Sequence, residues 1–572
     1  MLNKKNKIAT HIGRSLLTVV STFVYSNTAA QTIPDAGSIL QQLERDKATR
    51  QQPKALQLNT APAPEAMSSK NDLRVHVKRF EFAGNNLLST KILEEAVQTS
   101  VNKSPTFKEL QLVTDNITKL YTDAGYVARV YLPKQDITEG TITIQIIEAV
   151  FGKINIDNQG KRIPVDLIKG MVQSQQASGE YLSLEAIDRS LLMINEIPGV
   201  RLQGGLSTGS VPQSTDLSLA LTDTPLLSGN VGIDNTGSRA TGPERLTVNG
   251  YLLSPRGLGD MGSINTFVTR GSEYVRLGYS IPVGIKGLRL GVNSSFLHFD
   301  VITPEFSALA INGQSNTFGL DASYPLIKSR TFNLNLLGNL DQKNFLNNAN
   351  GTVASDYKIS VASITLGAQK FDQIGSGGVT NASAQLVSGH LDLGGQIESS
   401  EDTTLNRSYS KLKLMASREQ VVTSKLALFI GYSTQFASQN LDSSEKFYLG
   451  GASGIRAYPT SEGGGARGQL LTIEIRRQLE QGITLTGFYD WGRVMINTDN
   501  GAGQVSSPAA INRFDLSGVG ASLTYLAPQG ITIKGIVSQR LGSNPLRNTT
   551  TGFDSDGSFT QMRMWITASK IF

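Results

Sequence analysis

The side chains able to carry chemistry are few. Cysteine is absent from the 572 residues, which removes thiol catalysis, disulfide scaffolding and every Cys-based zinc or iron–sulfur site. The four histidines, His11, His76, His298 and His390, stand far apart in sequence and form no metal-ligand cluster. No nucleophile–base constellation is visible, so no catalytic residue, cofactor or metal is assigned and the chain reads as a non-enzyme. GGGARG at 463–468 fits G-x-G-x-x-G formally. It neither follows a buried strand nor opens a helix in a βαβ unit, so it is not a dinucleotide site. What remains is ionic chemistry. Two segments, GGASGIRAYP with Arg456 and FYDWG with Asp490, hold one candidate pair, because a guanidinium offers a rigid bidentate fork to a carboxylate.

Whether that pair meets depends on the elements that carry it. Charged residues make up 17% of the chain against roughly 25% in soluble proteins. Glycine is abundant at 57 residues, and no apolar run of about 18 residues or more could span a bilayer as a helix. These features point to β structure. After about residue 226 the sequence yields sixteen strand-like segments and no convincing helix. Several alternate cleanly: Leu288, Leu290 and Val292 oppose Arg289 and Gly291, and Leu471, Ile473 and Ile475 oppose Thr472, Glu474 and Arg476. Short connections near 327–330, 480 and 529 alternate with longer ones at 301–313, 347–356, 393–405, 438–468, 497–512 and 542–558. One apolar face, one polar face and this loop asymmetry describe a sixteen-stranded antiparallel transmembrane β-barrel with lipid outside and both barrel ends in the periplasm. On the strand GITLTGFYDWGRV, period two puts Ile483, Leu485, Tyr489 and Trp491 toward lipid and Thr484, Thr486, Phe488 and Asp490 inward. Half of the 438–468 connection reaches roughly 50 Å when extended, more than an apolar band of about 25 Å, so it can fold into its own barrel. An Arg456–Asp490 bond would then fix the loop tip to the wall at about 0.2–1 kcal/mol if exposed, and more if desolvated. The alternatives are that Arg456 is a solvated loop residue and that Asp490 merely lines a pore.

Upstream, Lys4, Lys5, Lys7 and Arg14 precede the apolar run SLLTVVSTFVYS, which ends in small residues. Residues 1–30 therefore read as a secretory signal peptide. Removing those four cations takes the net charge from +6 to +2, which takes away most of the support for nucleic-acid binding, and no nucleic-acid partner is expected. Within 31–50, Ile39, Leu40 and Leu43 fall at helical spacing with Asp35 or Ser38 available as N-cap. Residues 51–72, rich in Pro, Ala, Ser and Gln, form a flexible linker. The order β-α-α-β-β then runs twice, over 73–150 and 151–225, as two small α+β units. Strands such as the one with Ile142, Ile144 and Ile146 are expected to leave an edge free for another chain to add to. The chain finishes MRMWITASKIF. Met562, Met564, Ile566 and Ala568 alternate toward Phe572, with Lys570 interrupting the pattern.

Helix, linker, paired α+β units and barrel together resemble the outer-membrane transporters of two-partner secretion, the TpsB family. PDAGSILQQLERD is similar to the family's plug helix, and LYTDAGYVARVYLPKQDITEGTITIQIIEA to its first polypeptide-transport-associated (POTRA) domain. GGASGIRAYP and FYDWG are similar to its loop and strand signatures, which here comprise Ile455, Arg456, Ala457 and Tyr458, and Phe488, Asp490 and Gly492. Ala457 replaces the family's usual glycine, which leaves the backbone at the tip less defined than the arginine's role. The C-terminal strand resembles the signal, ending at Phe572, by which such barrels are recognised for assembly. The resemblance implies a Gram-negative outer-membrane pore, with POTRA domains in the periplasm, that secretes one large exoprotein without ATP. It implies that the POTRA domains bind the unfolded N-terminal secretion domain of that partner, that the 31–50 helix plugs the pore, and that Arg456 and Asp490 latch the inward loop. It also implies contact with outer-membrane lipid and, during biogenesis, with the barrel-assembly machinery and periplasmic chaperones. The alternatives are an assembly factor of the same superfamily or a passive porin.

Overall fold

A computed structural model describes residues 34–48, 74–137, 139–211, 213–394, 408–498, 511–548 and 551–572. The expected signal peptide and linker lie outside the described residues.

Each of the two α+β units is a three-stranded sheet backed by two helices. In the first, the central strand Thr141–Glu148 runs parallel to Arg79–Ala83 and antiparallel to Ala128–Tyr131. Its helix Phe107–Asp123 starts at a capping box in which Thr106 and Glu109 satisfy each other's backbone amides. The second unit repeats the topology with Val150–Asn158, Ser214–Asp223 in the centre and Val200–Thr208. Ile142, Ile144 and Ile146 occupy the central strand of their sheet, buried under the helices, which corrects the expectation of a free edge there. The free edges belong to the shorter strands at 79–83 and 128–131. A strand with one fully buried apolar face gains most where both sides are paired, so this register pulls it to the middle.

Sixteen strands from Leu227–Asp234 to Met562–Ile571 close a barrel, each pairing with its neighbours in sequence and the last with the first. Along Leu288–Asp300 the apolar Leu290, Val292 and Phe296 point outward and are exposed, whereas Asn293, Ser295, Leu297 and Phe299 are buried inside. That is the pattern of a wall between lipid and a filled interior. One expected long loop is absent: Phe332–Ala349 and Thr352–Asp372 run on to a two-residue turn at Asn350–Gly351. Both turn residues have positive φ, 51° and 73°, the geometry that an Asn-Gly hairpin supplies at low steric cost. The second α+β unit docks on the barrel rim. Arg189 donates to the Pro325 carbonyl at 3.1 Å, Arg330 pairs with Asp188 at 2.7 Å, and Lys328 pairs with Glu196.

Candidate functional site inside the barrel

Among the described residues, two pieces of the chain's own backbone occupy the interior. The first is the helix Ala36–Ala48. Asp35 caps it, accepting from the Ser38 amide at 2.7 Å. Ala36, Ile39 and Leu40 are buried, and with Leu43 they pack into a cluster with inward wall residues including Leu297, Phe299, Phe345 and Tyr357. The Ala36 amide donates to Asn347 Oδ1 at 3.0 Å, an orphan helix donor satisfied by the wall.

The second piece is the inward half of the 438–466 connection. Its apolar residues Leu449, Ile455, Ala457 and Tyr458 are completely buried and pack with Val494, Phe514 and Leu516 of the wall. Small wall residues make that approach possible. A Cβ on Gly492 would lie 2.6 Å from Leu449 Cδ2 and 3.1 Å from Ile455 Cδ1, and one on Gly518 would lie 2.6 Å from the Ala457 Cβ. Gly492 of the strand motif is thus a seat for the loop. Ala457 does not adopt a positive φ, so the tip needs no glycine there. Tyr458 lies under the Arg540 guanidinium, 4.7 Å from ring centroid to Cζ.

Arg456 and Asp490 are brought together. Nη2 donates to Asp490 Oδ1 at 2.7 Å, and Nε and the backbone amide donate to Oδ2 at 2.9 and 3.1 Å. The guanidinium stacks 3.4 Å from the centre of Phe488. The Arg456 carbonyl accepts from Ser538 Oγ at 2.6 Å and Trp565 Nε1 at 2.8 Å. The pair is buried, not wet, so the exposed-pair range does not apply. Burial works against the Arg456 charge, and the adjacent carboxylates outweigh it, holding the guanidinium's pKa above its usual value.

Sequence reasoning missed one member. Glu474 accepts from Arg456 Nη1 at 2.7 Å and pairs in turn with Arg476 at 2.6 Å. Its signal was present: Glu474 shares the inward face of its strand with Thr472 and Arg476, and Thr472 stands directly across from Asp490. Arg456 is thus held by two wall carboxylates on adjacent strands. A rigid planar cation between two acids, with its main chain hydrogen-bonded on both sides, orients a loop tip as well as anchoring it. At the other end, Phe572 exchanges backbone hydrogen bonds of 2.9 and 3.0 Å with Gly229, so the barrel closes at the C-terminal residue.

Comparisons with known proteins agree with this architecture. The haemolysin secretion/activation protein ShlB/FhaC/HecB family model matches residues 213–524, and the ShlB-type POTRA domain model matches residues 75–149. The heme/hemopexin transporter protein HuxB of Haemophilus influenzae is 25% identical over 530 residues, covering 89% of this chain and 92% of the relative. The outer membrane transporter CdiB of Dickeya dadantii is 24% identical over 446 residues, covering 76% and 78%. Among solved structures, CdiB from Escherichia coli superposes with a TM-score of 0.68 at 19% identity, covering 95% of this chain and 100% of that one. BamA from Haemophilus ducreyi lacking POTRA domains 1–3 superposes with a TM-score of 0.51 at 14% identity, covering 87% and 100%. These structures share the fold. A match over more than half the chain, a closed sixteen-stranded barrel and periplasmic POTRA units place the protein in the outer membrane as a two-partner secretion transporter of exoproteins, and the chain belongs to the haemolysin secretion/activation protein ShlB/FhaC/HecB family.

Proposed function

We propose that the transporter is held at rest by the two interior segments: the helix within 31–50 plugs the pore, and the 438–468 loop is latched by Arg456 on Asp490 and Glu474. The observation that carries this reading is the helix's position, with Ala36, Ile39 and Leu40 buried against inward wall residues. In the same reading residues 1–30 direct export and 51–72 tether the helix as it leaves. The units at 73–150 and 151–225 receive the unfolded secretion domain of a large exoprotein by strand addition at an edge. The barrel, 226–572, conducts that exoprotein outward past surrounding lipid. The chain performs no catalysis, and folding of the emerging substrate supplies the drive. Phe572 presents the last strand to the assembly machinery after chaperone-guided passage through the periplasm.

Deleting residues 34–50 tests the plug directly. Planar-bilayer conductance is expected to rise to a stable open level, with secretion retained or increased. A closed pore after the deletion overturns the plugging role.

A further inference from the structure

The inward loop has a second charged contact, made by Glu445 upstream of Arg456 in the same connection. Glu445 is buried and lies 2.5 Å from Lys411 and 3.1 Å from Lys343, two buried lysines on the inner wall. Lys411 also donates to the Glu445 carbonyl at 2.8 Å, and Gln435 donates to the same carbonyl at 3.1 Å. Burial opposes the Glu445 charge, and the two lysines overcome it, holding the carboxyl well below the usual glutamate range.

The helix reaches the same cluster. Glu44 lies 3.6 Å from Lys343. Gln41 and Arg45, one helical turn apart on the same face, then contact the loop just beyond Glu445. Gln41 donates to the Lys446 carbonyl at 3.1 Å, and Arg45 donates to those of Tyr448 and Gly450 at 2.8 Å each. Alternate carbonyls of an extended loop segment thus face one side of one helix. Gly37 lets the helix close on the loop: a Cβ there would lie 2.4 Å from Ser443 Oγ and 2.9 Å from the Ser444 amide.

We propose that Glu445, gripped by Lys343 and Lys411, is a second positioning residue of the inward loop, and that the bonds of Gln41 and Arg45 to the carbonyls just beyond it couple the loop to the N-terminal helix. With both segments docked, Lys343 faces Glu44, Glu445 and Asp341, and Glu445 faces Lys343, Lys411 and Lys413. When the helix leaves, Lys343 loses one acid and the 446–450 carbonyls lose their donors. The loop's lower limb is therefore freed while the Arg456 contact stays closed. Conversely, neutralising Glu445 loosens the 446–450 segment to which Gln41 and Arg45 donate, and so weakens the seat of the helix.

The inference needs the plug reading only in requiring that the helix can leave. Coupling of this kind is reciprocal and typically corresponds to about 5–150-fold in an equilibrium. In this cysteine-free chain, a single Cys at Leu43 reports on the helix and one at Lys446 on the loop, each by its labelling rate with a maleimide in proteoliposomes. Glu445→Gln is expected to raise Leu43→Cys labelling at least about fivefold, and Glu44→Gln to raise Lys446→Cys labelling by a similar factor. The double variant should exceed the larger single effect only slightly, because both changes act through the same helix–loop docking. Gly37→Ala should raise both rates without touching the lysines. Retention of the heat-resistant barrel form on gels checks assembly. If Glu445→Gln does not assemble, the Glu44→Gln and Gly37→Ala arms still decide, since both changes lie on the helix. A loop reporter unmoved by either helix variant, or single effects that simply multiply, overturns the coupling. The 34–50 deletion conductance result is independent of this outcome, so failure of the plug and failure of the coupling are distinguishable.

Discussion

Replacing Arg456 with Met keeps the aliphatic stem and removes the charge, and its two carboxylate partners are then affected unequally. Glu474 keeps Arg476 at 2.6 Å. Among the described residues, Asp490, with no solvent exposure, keeps hydrogen bonds from the Thr472 hydroxyl and the residue-456 backbone amide, each at 3.1 Å, and the more distant charge of Lys534. Removing one side of a buried pair costs about 3–5 kcal/mol, and the two surviving hydrogen bonds put this case near the lower end. About 3 kcal/mol changes the ratio of undocked to docked loop by on the order of a hundredfold. The bonds from Ser538 and Trp565 to the Arg456 carbonyl remain, so the tip loosens without being expelled. Asp490→Asn keeps the shape and leaves Arg456 on Glu474, and should cost about 1–2 kcal/mol. If the bond is shared, the double variant costs little more than Arg456→Met, giving a coupling energy of about 1–2 kcal/mol. A Cys at Ala452, beside the tip, reads the undocked population through its labelling rate, and secretion of the cognate exoprotein is followed in parallel. Wild-type labelling of Arg456→Met, or effects that add within about 0.5 kcal/mol, would refute the latch. A simple charge swap is a poorer test, because an aspartate at 456 would face Glu474 and could fail for that reason alone.

Two further outcomes follow from the loop's surroundings. Gly518→Ala places a methyl 2.6 Å from the Ala457 Cβ, an overpacking worth about 1–3 kcal/mol, so tip labelling should rise and Ala457→Gly should restore it. Failure of that restoration would mean that Gly518 matters for something other than the loop. Glu462 is buried, accepts from the Ser555 hydroxyl at 2.7 Å, and has its pKa pushed up by burial. A carboxyl with a raised folded pKa stabilises fully below its unfolded value of about 4.3 and loses that contribution as pH rises through the folded value. Glu462→Gln should therefore flatten the pH dependence of the barrel's heat-dissociation midpoint across that window, with the largest gain at its upper end. An unchanged slope counts against a protonatable Glu462.

The barrel was legible because each wall strand repeats one physical rule. Leu290 and Val292 face lipid while Asn293 and Ser295 face inward, and period two records that residue by residue. The loop at 347–356 was misread because turn length depends on two residues only: Asn350–Gly351 permits a tight hairpin, and the polar residues flanking it extend the strands instead of forming a loop. The Arg456–Asp490 bond was legible for a different reason. A lone inward acid on an otherwise apolar and hydroxyl-bearing strand requires a cation, and a loop long enough to return supplied one. Glu474 escaped because alternation puts it on the inward face beside Arg476 without telling which cation reaches it, and only the packed loop and the register of adjacent strands show that it serves two arginines. The same limit hid the Lys343–Glu445–Lys411 cluster, whose members come from separate strands and a loop with no local pattern among them. Alternation tells which residues face the interior. It does not tell which cation meets which acid, because that choice is made by the stagger of the strands and by whatever backbone fills the lumen. The Arg456 and Glu445 contacts both lie there, between the wall and backbone that fills the lumen, where partners are separated in sequence and no local pattern joins them.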